Sequence, residues 1–257
     1  MADLFRLDGK VATVIGGAGG LGEAIAHGLA QYGARVVIAS RNLQKLEKVA
    51  MNISSDPEVI SEVTALQVDV TDEQSVARLA EQIVDKFGTV DILVNAHGEN
   101  IKKPSVEFPM ADWDRLFDIN VKGTMTTCRE FGKIMIEKKK GKIINLSSIR
   151  GARGTDGGNT GYGATKGAVD MITRMLAAEW ARYNINVNAI APSIIMTEML
   201  ARALDPARLE MLKAKSPLGR MAEPKDIVGM CILLSSAVSD FITGQIIYID
   251  GGLSAIA

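Results

Sequence analysis

Short, β-branched apolar runs alternate along this chain with longer stretches of helical spacing. Residues 11–15 (VATVI) are almost wholly apolar, and after a glycine cluster the residues of 21–32 are spaced as on a helix. Run 35–39 is followed by a polar helix from about 42. Run 65–68 leads through Thr71-Asp72-Glu73, an N-cap with acids in the first turn, into a helix reaching about 87. Run 91–95 precedes a long helical stretch over 111–139. Then come run 142–146, a helix over 162–183, run 185–190, a helix over 224–236 and a last run, 245–249. Strands that stay apolar along their length are covered on both faces, so seven of them separated by helices predict an α/β fold with a parallel sheet. Right-handed crossovers make it doubly wound, of Rossmann type. No composition break, low-complexity linker or repeat interrupts the pattern. Residues 1–257 therefore read as a single domain, with a substrate-loop insertion at about 193–222.

Composition narrows the function classes. An apolar fraction of 47% rules out a disordered or collagen-like chain. Lys+Arg at 29 against Asp+Glu at 30 gives a formal charge of −1, which argues against nucleic acid and anionic membranes as partners. No segment approaches about 18 consecutive apolar residues, and the N-terminus lacks the pattern of a signal peptide. Cys128 and Cys231 are far apart and read as small buried hydrophobes in a reducing compartment. With two scattered histidines and no clustered thiols, no metal site is expected. The expectation is a cytoplasmic protein acting on a small molecule.

In a doubly wound sheet, ligands bind beyond the C-terminal strand ends, where strand order reverses. The loop after the first strand reads Gly16-Gly17-Ala18-Gly19-Gly20-Leu21-Gly22. It fits G-x-G-x-x-G through Gly17, Gly19 and Gly22, or G-x-x-x-G-x-G through Gly16, Gly20 and Gly22. Either lets a pyrophosphate approach a helix N-terminus, where free N–H groups favour an anion. The second strand ends in Ser40-Arg41-Asn42, without the carboxylate that would bind an adenosine ribose 2′-hydroxyl. A guanidinium beside a hydroxyl suits a 2′-phosphate, so NADP(H) is preferred and NAD(H) remains possible. Alternatively, Arg41 simply begins a solvated helix. Asp69 fits either the adenine amino group or a loop cap before Thr71.

Tyr162 and Lys166 stand at i and i+4, neighbours on one helix face, just after a strand ending in Asn145-Leu146-Ser147-Ser148. With these residues in place the chain resembles the short-chain dehydrogenase/reductase family over nearly its full length. The resemblance is carried by the glycine turn, Asp69-Val70, Asn95-Ala96-His97-Gly98, Asn120, Ser148, the Tyr162/Lys166 pair and Ile190-Ala191-Pro192. Within the family it is most similar to the gluconate 5-dehydrogenase group. The segments that support this are Ser40-Arg41-Asn42, Glu107-Phe108-Pro109 with Trp113, Leu218-Gly219-Arg220 and Tyr248-Ile249-Asp250-Gly251-Gly252.

The resemblance implies catalysis by Asn120, Ser148, Tyr162 and Lys166. Tyr162 would be the general acid/base and Ser148 the hydroxyl that steadies the substrate oxygen. Lys166 would bind the nicotinamide ribose and lower the Tyr162 pKa, while Asn120 holds a water of the proton relay. A shift of about three units from the phenol's ordinary value corresponds to about 4 kcal/mol, which a nearby ammonium in a low-dielectric cleft can supply. Cofactor contacts are implied from Gly16, Gly19, Gly20 and Leu21 in the turn, from Ser40, Arg41 and Asn42, and from Asp69 and Val70. Asn95, Ala96, Tyr162, Lys166 and Pro192 follow, with Ile195 and Thr197 at the carboxamide end. Ile15, Ala96, His97 and Ser193 depart from the family pattern, and His97 reads as a substrate contact or as a loop histidine satisfied by backbone. The chain then reads as an oxidoreductase of a secondary alcohol/ketone pair in a sugar acid or polyol. A 3-oxoacyl-carrier reductase and a non-catalytic cofactor sensor are the alternatives, and a homotetramer is implied. Lys102, Lys103, Arg150 and Arg153 are placed to rim the site, as grips for an anionic substrate or as solvated loop charges.

Overall fold

The computed structural model describes residues 2–197, 200 and 205–256. The strands are β1 (Val11–Ile15), β2 (Arg35–Ser40), β3 (Val63–Gln67), β4 (Ile92–Asn95), β5 (Gly141–Leu146), β6 (Ile185–Pro192) and β7 (Ile246–Ile249). They form one all-parallel sheet in the order β3-β2-β1-β4-β5-β6-β7. The order reverses at β1, where Ile15 lies opposite Ala39 of β2 on one side and Asn95 of β4 on the other. Three strand ends therefore meet at one edge, and the loops leaving them face each other.

Side chains alternate across the sheet, as the two-residue period of a strand requires. Ala12 and Val14 face one core with Ile38 and Ile144, against helices α1 (Gly20–Gln31), α2 (Leu43–Ser54) and, near the C-terminus, α8 (Pro224–Ser235). Val11 and Ile15 face the other, against Leu79 and Ile83 of α3 (Glu73–Phe87), with Phe131, Leu176 and Trp180 beyond. Burial on both faces explains why β1, β4, β5 and β6 read as nearly continuous apolar runs. The predicted cap before α3 is present, with Asp72 Oδ1 accepting from the Gln74 N–H at 2.9 Å. Cys128 and Cys231 are buried, and burial pushes both thiols up to about 12. Among the described residues, no helix is long and apolar enough to cross a membrane.

Two stretches differ from the sequence expectation. The predicted helix over 111–139 is broken into α4 (Met110–Phe117) and α5 (Gly123–Lys138) by a π-helical turn at Asp118–Lys122. Leu116, Asn120, Thr124 and Thr127 are buried at three- and four-residue spacing through the π turn, so the stretch still reads as one helix. Between β6 and α8, a short helix α7 (Pro206–Ala214) follows α6 (Thr160–Trp180) in our numbering. It buries no residue, so it carries no apolar stripe to read, and its start is set by Asp205, which caps the Arg208 N–H at 2.8 Å.

Candidate active site

The loop from β1 to α1 is built so that backbone, not side chain, faces the strand ends. Gly16 has φ 91°, in the left-handed region, and a Cβ there would lie 2.7 Å from the His97 N. A Cβ on Gly22 would overlap the Gly16 carbonyl. Nothing but glycine keeps this turn against α1, whose N-cap, Gly19, has no side-chain hydrogen bond to the first-turn N–H groups. The turn is thus a cradle for an anion of pyrophosphate size at a helix N-terminus. Thr197 sits over it, since a Cβ on Gly20 would lie 3.8 Å from the Thr197 methyl.

From this turn a cleft runs along the strand ends. One cavity, of about 320 Å³, is lined by Gly16, Ser40, Arg41, Asp69, Val70, Ala96 and His97. The next is lined by Leu21, Ala96, Ser148, Tyr162, Lys166, Pro192 and Ile195. Most of the expected cofactor residues therefore share one continuous surface. Arg41 is exposed and makes no ion pair among the described residues, and the buried Ser40 hydroxyl beside it has no hydrogen-bond partner. That pair of polar groups suits a phosphate, and together with the glycine cradle it fits a dinucleotide carrying a 2′-phosphate. Asp69 accepts from the Thr71 hydroxyl at 2.7 Å and its N–H at 3.0 Å. These bonds, with Arg41 nearby, hold the carboxyl below its usual range. It caps the loop as well as facing the cavity. Asn42 caps α2, accepting from the Lys45 N–H at 2.9 Å.

Two of the expected site residues have side chains engaged within the protein. The Asn95 side chain turns away from the cleft into the core, donating to Asn145 Oδ1 at 2.9 Å and accepting from the Thr127 hydroxyl at 2.8 Å. It ties β4 to β5 and α5. The Asn120 side chain is also committed. Its Oδ1 accepts from the Glu99 N–H, and its Nδ2 donates to the Glu99 carbonyl and the Thr165 hydroxyl, at 2.8, 2.8 and 3.0 Å. It clamps the 98–99 turn against the helix that carries Tyr162, and the π turn is what swings it there.

Ser148, Tyr162 and Lys166 do converge. β5 ends at Leu146, so Ser148 leaves the sheet at its C-terminal edge, while α6 brings Tyr162 and Lys166 in on one face. Lys166 is buried and donates to the Leu146 carbonyl at 2.6 Å, with its Nζ 5.6 Å from the Tyr162 ring centre. Burial pulls the ammonium down to about 8. The same burial pushes the Tyr162 phenol up, opposed by the Ser148 hydroxyl and the Arg150 charge. The phenol is therefore a protonated acid at neutral pH. His97 is held neutral, its pKa drawn down to about 3 by burial and by Lys166. It lines the two cavities along the strand ends, the second of which also holds Ser148 and Tyr162. His27 pairs with Asp56 at 2.5 Å on the far side of α1, a structural role.

Beyond Tyr162 lies a third cavity, of about 400 Å³, lined by Ser148, Arg150, Asp156, Ser193, Arg208, Lys215, Arg220 and Leu253 among others. Of the four rim cations expected, Lys102 and Arg150 line it. Lys103 instead pairs with Asp112 at 2.6 Å, and Arg153 donates to the Leu253 and Ile256 carbonyls at 2.7 and 2.9 Å, tethering the C-terminal turn. Arg208 and Lys215, on and after α7, were not legible as site residues because their helix shows no apolar face.

Comparison with known proteins gives this arrangement a context. A family model described as enoyl-(acyl carrier protein) reductase matches residues 16–254. The chain is 34% identical over 254 residues to 5-keto-D-gluconate 5-reductase of Escherichia coli K12, covering 98% of each protein. It is 37% identical over 248 residues to D-threitol dehydrogenase of Mycolicibacterium smegmatis, covering 96% of this chain and 94% of that one. A solved gluconate 5-dehydrogenase from Burkholderia cenocepacia, in complex with NADP and tartrate, superposes with a TM-score of 0.93 at 35% identity. The match covers 100% of this chain and 99% of that one.

Proposed function

The chain belongs to the short-chain dehydrogenase/reductase family, and from that premise we propose an NADP(H)-dependent oxidoreductase of a secondary alcohol/ketone pair in a sugar acid or polyol. The observation that carries this reading is the meeting of Ser148, Tyr162 and Lys166 where the cofactor-side cleft opens into a cation-lined cavity. Gly16, Gly20 and Leu21 would hold the pyrophosphate, Arg41 with Ser40 the 2′-phosphate, and Lys166, Pro192, Ile195 and Thr197 the nicotinamide half. The nicotinamide, when bound, supplies or accepts the hydride. The protein moves the proton. The Tyr162 phenol, kept protonated by burial, donates to the carbonyl oxygen in reduction, and the Ser148 hydroxyl holds that oxygen. The Arg150 charge stabilises the phenolate that remains.

The substrate end is read from charge. Among the described residues Lys102, Arg150, Arg208 and Lys215 form no ion pair, whereas Arg220 is held by Asp226 at 2.6 and 2.9 Å. Among the described residues, Asp156 is the one acid in the lining. With a chain charge of −1, general steering cannot gather an anion, so these local cations do it. The segment 193–222 supplies much of this wall. Three results are expected. A keto acid with several hydroxyls outcompetes its neutral analogue. kcat/KM falls as salt rises, since exposed charges are screened beyond about 8–10 Å at 0.1–0.15 M. Arg150→Ala narrows the gap between acid and neutral substrate. Steady-state kinetics at two salt concentrations checks all three, and indifference to salt and substrate charge would move the reading to a neutral polyol.

We also propose a homotetramer, supported by apolar side chains left open to solvent, namely Phe241, Met171, Met175 and Tyr248. Light scattering should give four times the 27.5 kDa chain mass; the mass of one chain at working concentration would contradict it.

A further inference from the structure

The turn that follows β7 is tied down from two sides. Asp250, buried just past the strand, organises it: Oδ1 accepts from the Gly252 N–H at 3.0 Å and Oδ2 from the Ser254 N–H at 2.7 Å. On one side the Gly251 carbonyl accepts from the Leu218 N–H at 3.2 Å and from the Ser216 hydroxyl at 3.4 Å, which joins the turn to the segment after α7. On the other side stands Arg153. Its backbone N–H donates to the Ile149 carbonyl at 2.9 Å, within the tight turn that Ser148 begins. Its Nη1 carries two hydrogens, one for each of two carbonyls, those of Leu253 at 2.7 Å and Ile256 at 2.9 Å. Among the described residues, no other hydrogen bond joins 253–256 to anything outside the turn.

Leu253 is where this turn meets the cavity beyond Tyr162. It lines that cavity with Ser148 and Arg150 from the loop after β5 and with Lys215 and Ser216 from beyond α7. It lines neither of the two cavities along the strand ends, so it stands away from the cofactor. Its side chain can neither grip a charge nor hydrogen-bond a hydroxyl, which leaves it one part, to limit size. Arg153 is outside the lining and reaches the cavity only through the backbone it holds. We infer that Arg153 is a positioning residue for substrate specificity: by gripping the Leu253 and Ile256 carbonyls it fixes the apolar wall that limits how long a substrate the cavity takes. This rests on the reading of that cavity as the substrate's. The same side chain ties the wall to the turn that carries Ser148, so the distance from the reacting oxygen to the wall is set by one residue.

The test compares kcat/KM for polyhydroxy keto acids of six and of eight carbons, with NADPH affinity measured separately by fluorescence. Leu253→Ala removes the wall and should raise the eight-to-six ratio by about tenfold, the lower end of what a methylene is worth in a fitted pocket. Arg153→Ala frees the wall without touching the lining. It should raise the ratio by a similar factor of about ten, with NADPH affinity within about two-fold of wild type. Arg153→Gln, still polar but too short to hold both carbonyls, should raise it too, and decides the matter if the alanine variant does not fold. An unmoved ratio in the Arg153 variants, whether both acids are reduced as before or both slow equally, would show a merely structural role and overturn the proposal. Reduction of neither acid by wild-type protein that binds NADPH would overturn the substrate reading, and this inference with it.

Discussion

Replacing Tyr162 by Phe should lower turnover by about 10²–10⁴-fold, the usual contribution of a positioned general acid, while NADPH affinity stays within a few-fold. The phenol faces the opening between the cofactor-side cleft and the substrate cavity. It is the titratable hydroxyl in that position, and Phe keeps its ring beside the Lys166 ammonium. The pH dependence has a defined sign. Burial lifts the phenol above its ordinary value, so its proton is available for ketone reduction throughout the neutral range. Alcohol oxidation needs the phenolate, so its rate should climb as pH rises toward the phenol's pKa. Lys166→Ala should damage both turnover and cofactor affinity, because the ammonium lies 5.6 Å from the ring centre and also lines the cleft with Leu21 and Pro192. A Tyr162→Phe protein retaining more than about a tenth of wild-type turnover with chemistry rate-limiting would remove the acid/base assignment.

Arg41→Ala should weaken NADPH by about 1–3 kcal/mol in kcat/KM terms, the loss of a hydrogen bond to a charged group, or roughly five- to 150-fold. NADH kinetics should barely change. The guanidinium is exposed and uncommitted, while its own carbonyl is anchored by the Gln67 side chain at 2.9 Å. Truncating the side chain therefore leaves the strand end in place. The nearest carboxylate, Asp69, is occupied with Thr71 and so does not neutralise Arg41 by a direct contact. Parallel kinetics with both cofactors settles the matter, and equal losses would show that Arg41 does not read the 2′-phosphate.

Most of the sheet could be read directly, because strands buried on both faces leave uninterrupted apolar runs, as in Val11–Ile15 and Ile185–Pro192. The Tyr162/Lys166 pair was equally plain, since i and i+4 on a helix are neighbours whatever the surroundings. What escaped the sequence is whatever depends on a partner distant along the chain. Asn95 and Asn120 look alike as polar residues at a strand end and in a helix. Only the fold shows one turned into Asn145 and the other clamped on Glu99. Lys103 and Arg153 stand beside Lys102 and Arg150 in sequence, yet Asp112 and the C-terminal carbonyls claim them. The burial that lifts the Tyr162 phenol is likewise a product of the fold and is not visible in the sequence.

The most direct measurement of the central claim is NADPH absorbance followed on mixing the purified protein with a polyhydroxy keto acid, a neutral polyhydroxy ketone and a 3-oxoacyl thioester. The account predicts rapid NADPH consumption with the keto acid, slower consumption with the neutral ketone, little with the thioester, and consumption about 10²–10⁴-fold slower in the Tyr162→Phe protein. Consumption with the thioester alone, or no consumption with any carbonyl, would contradict it.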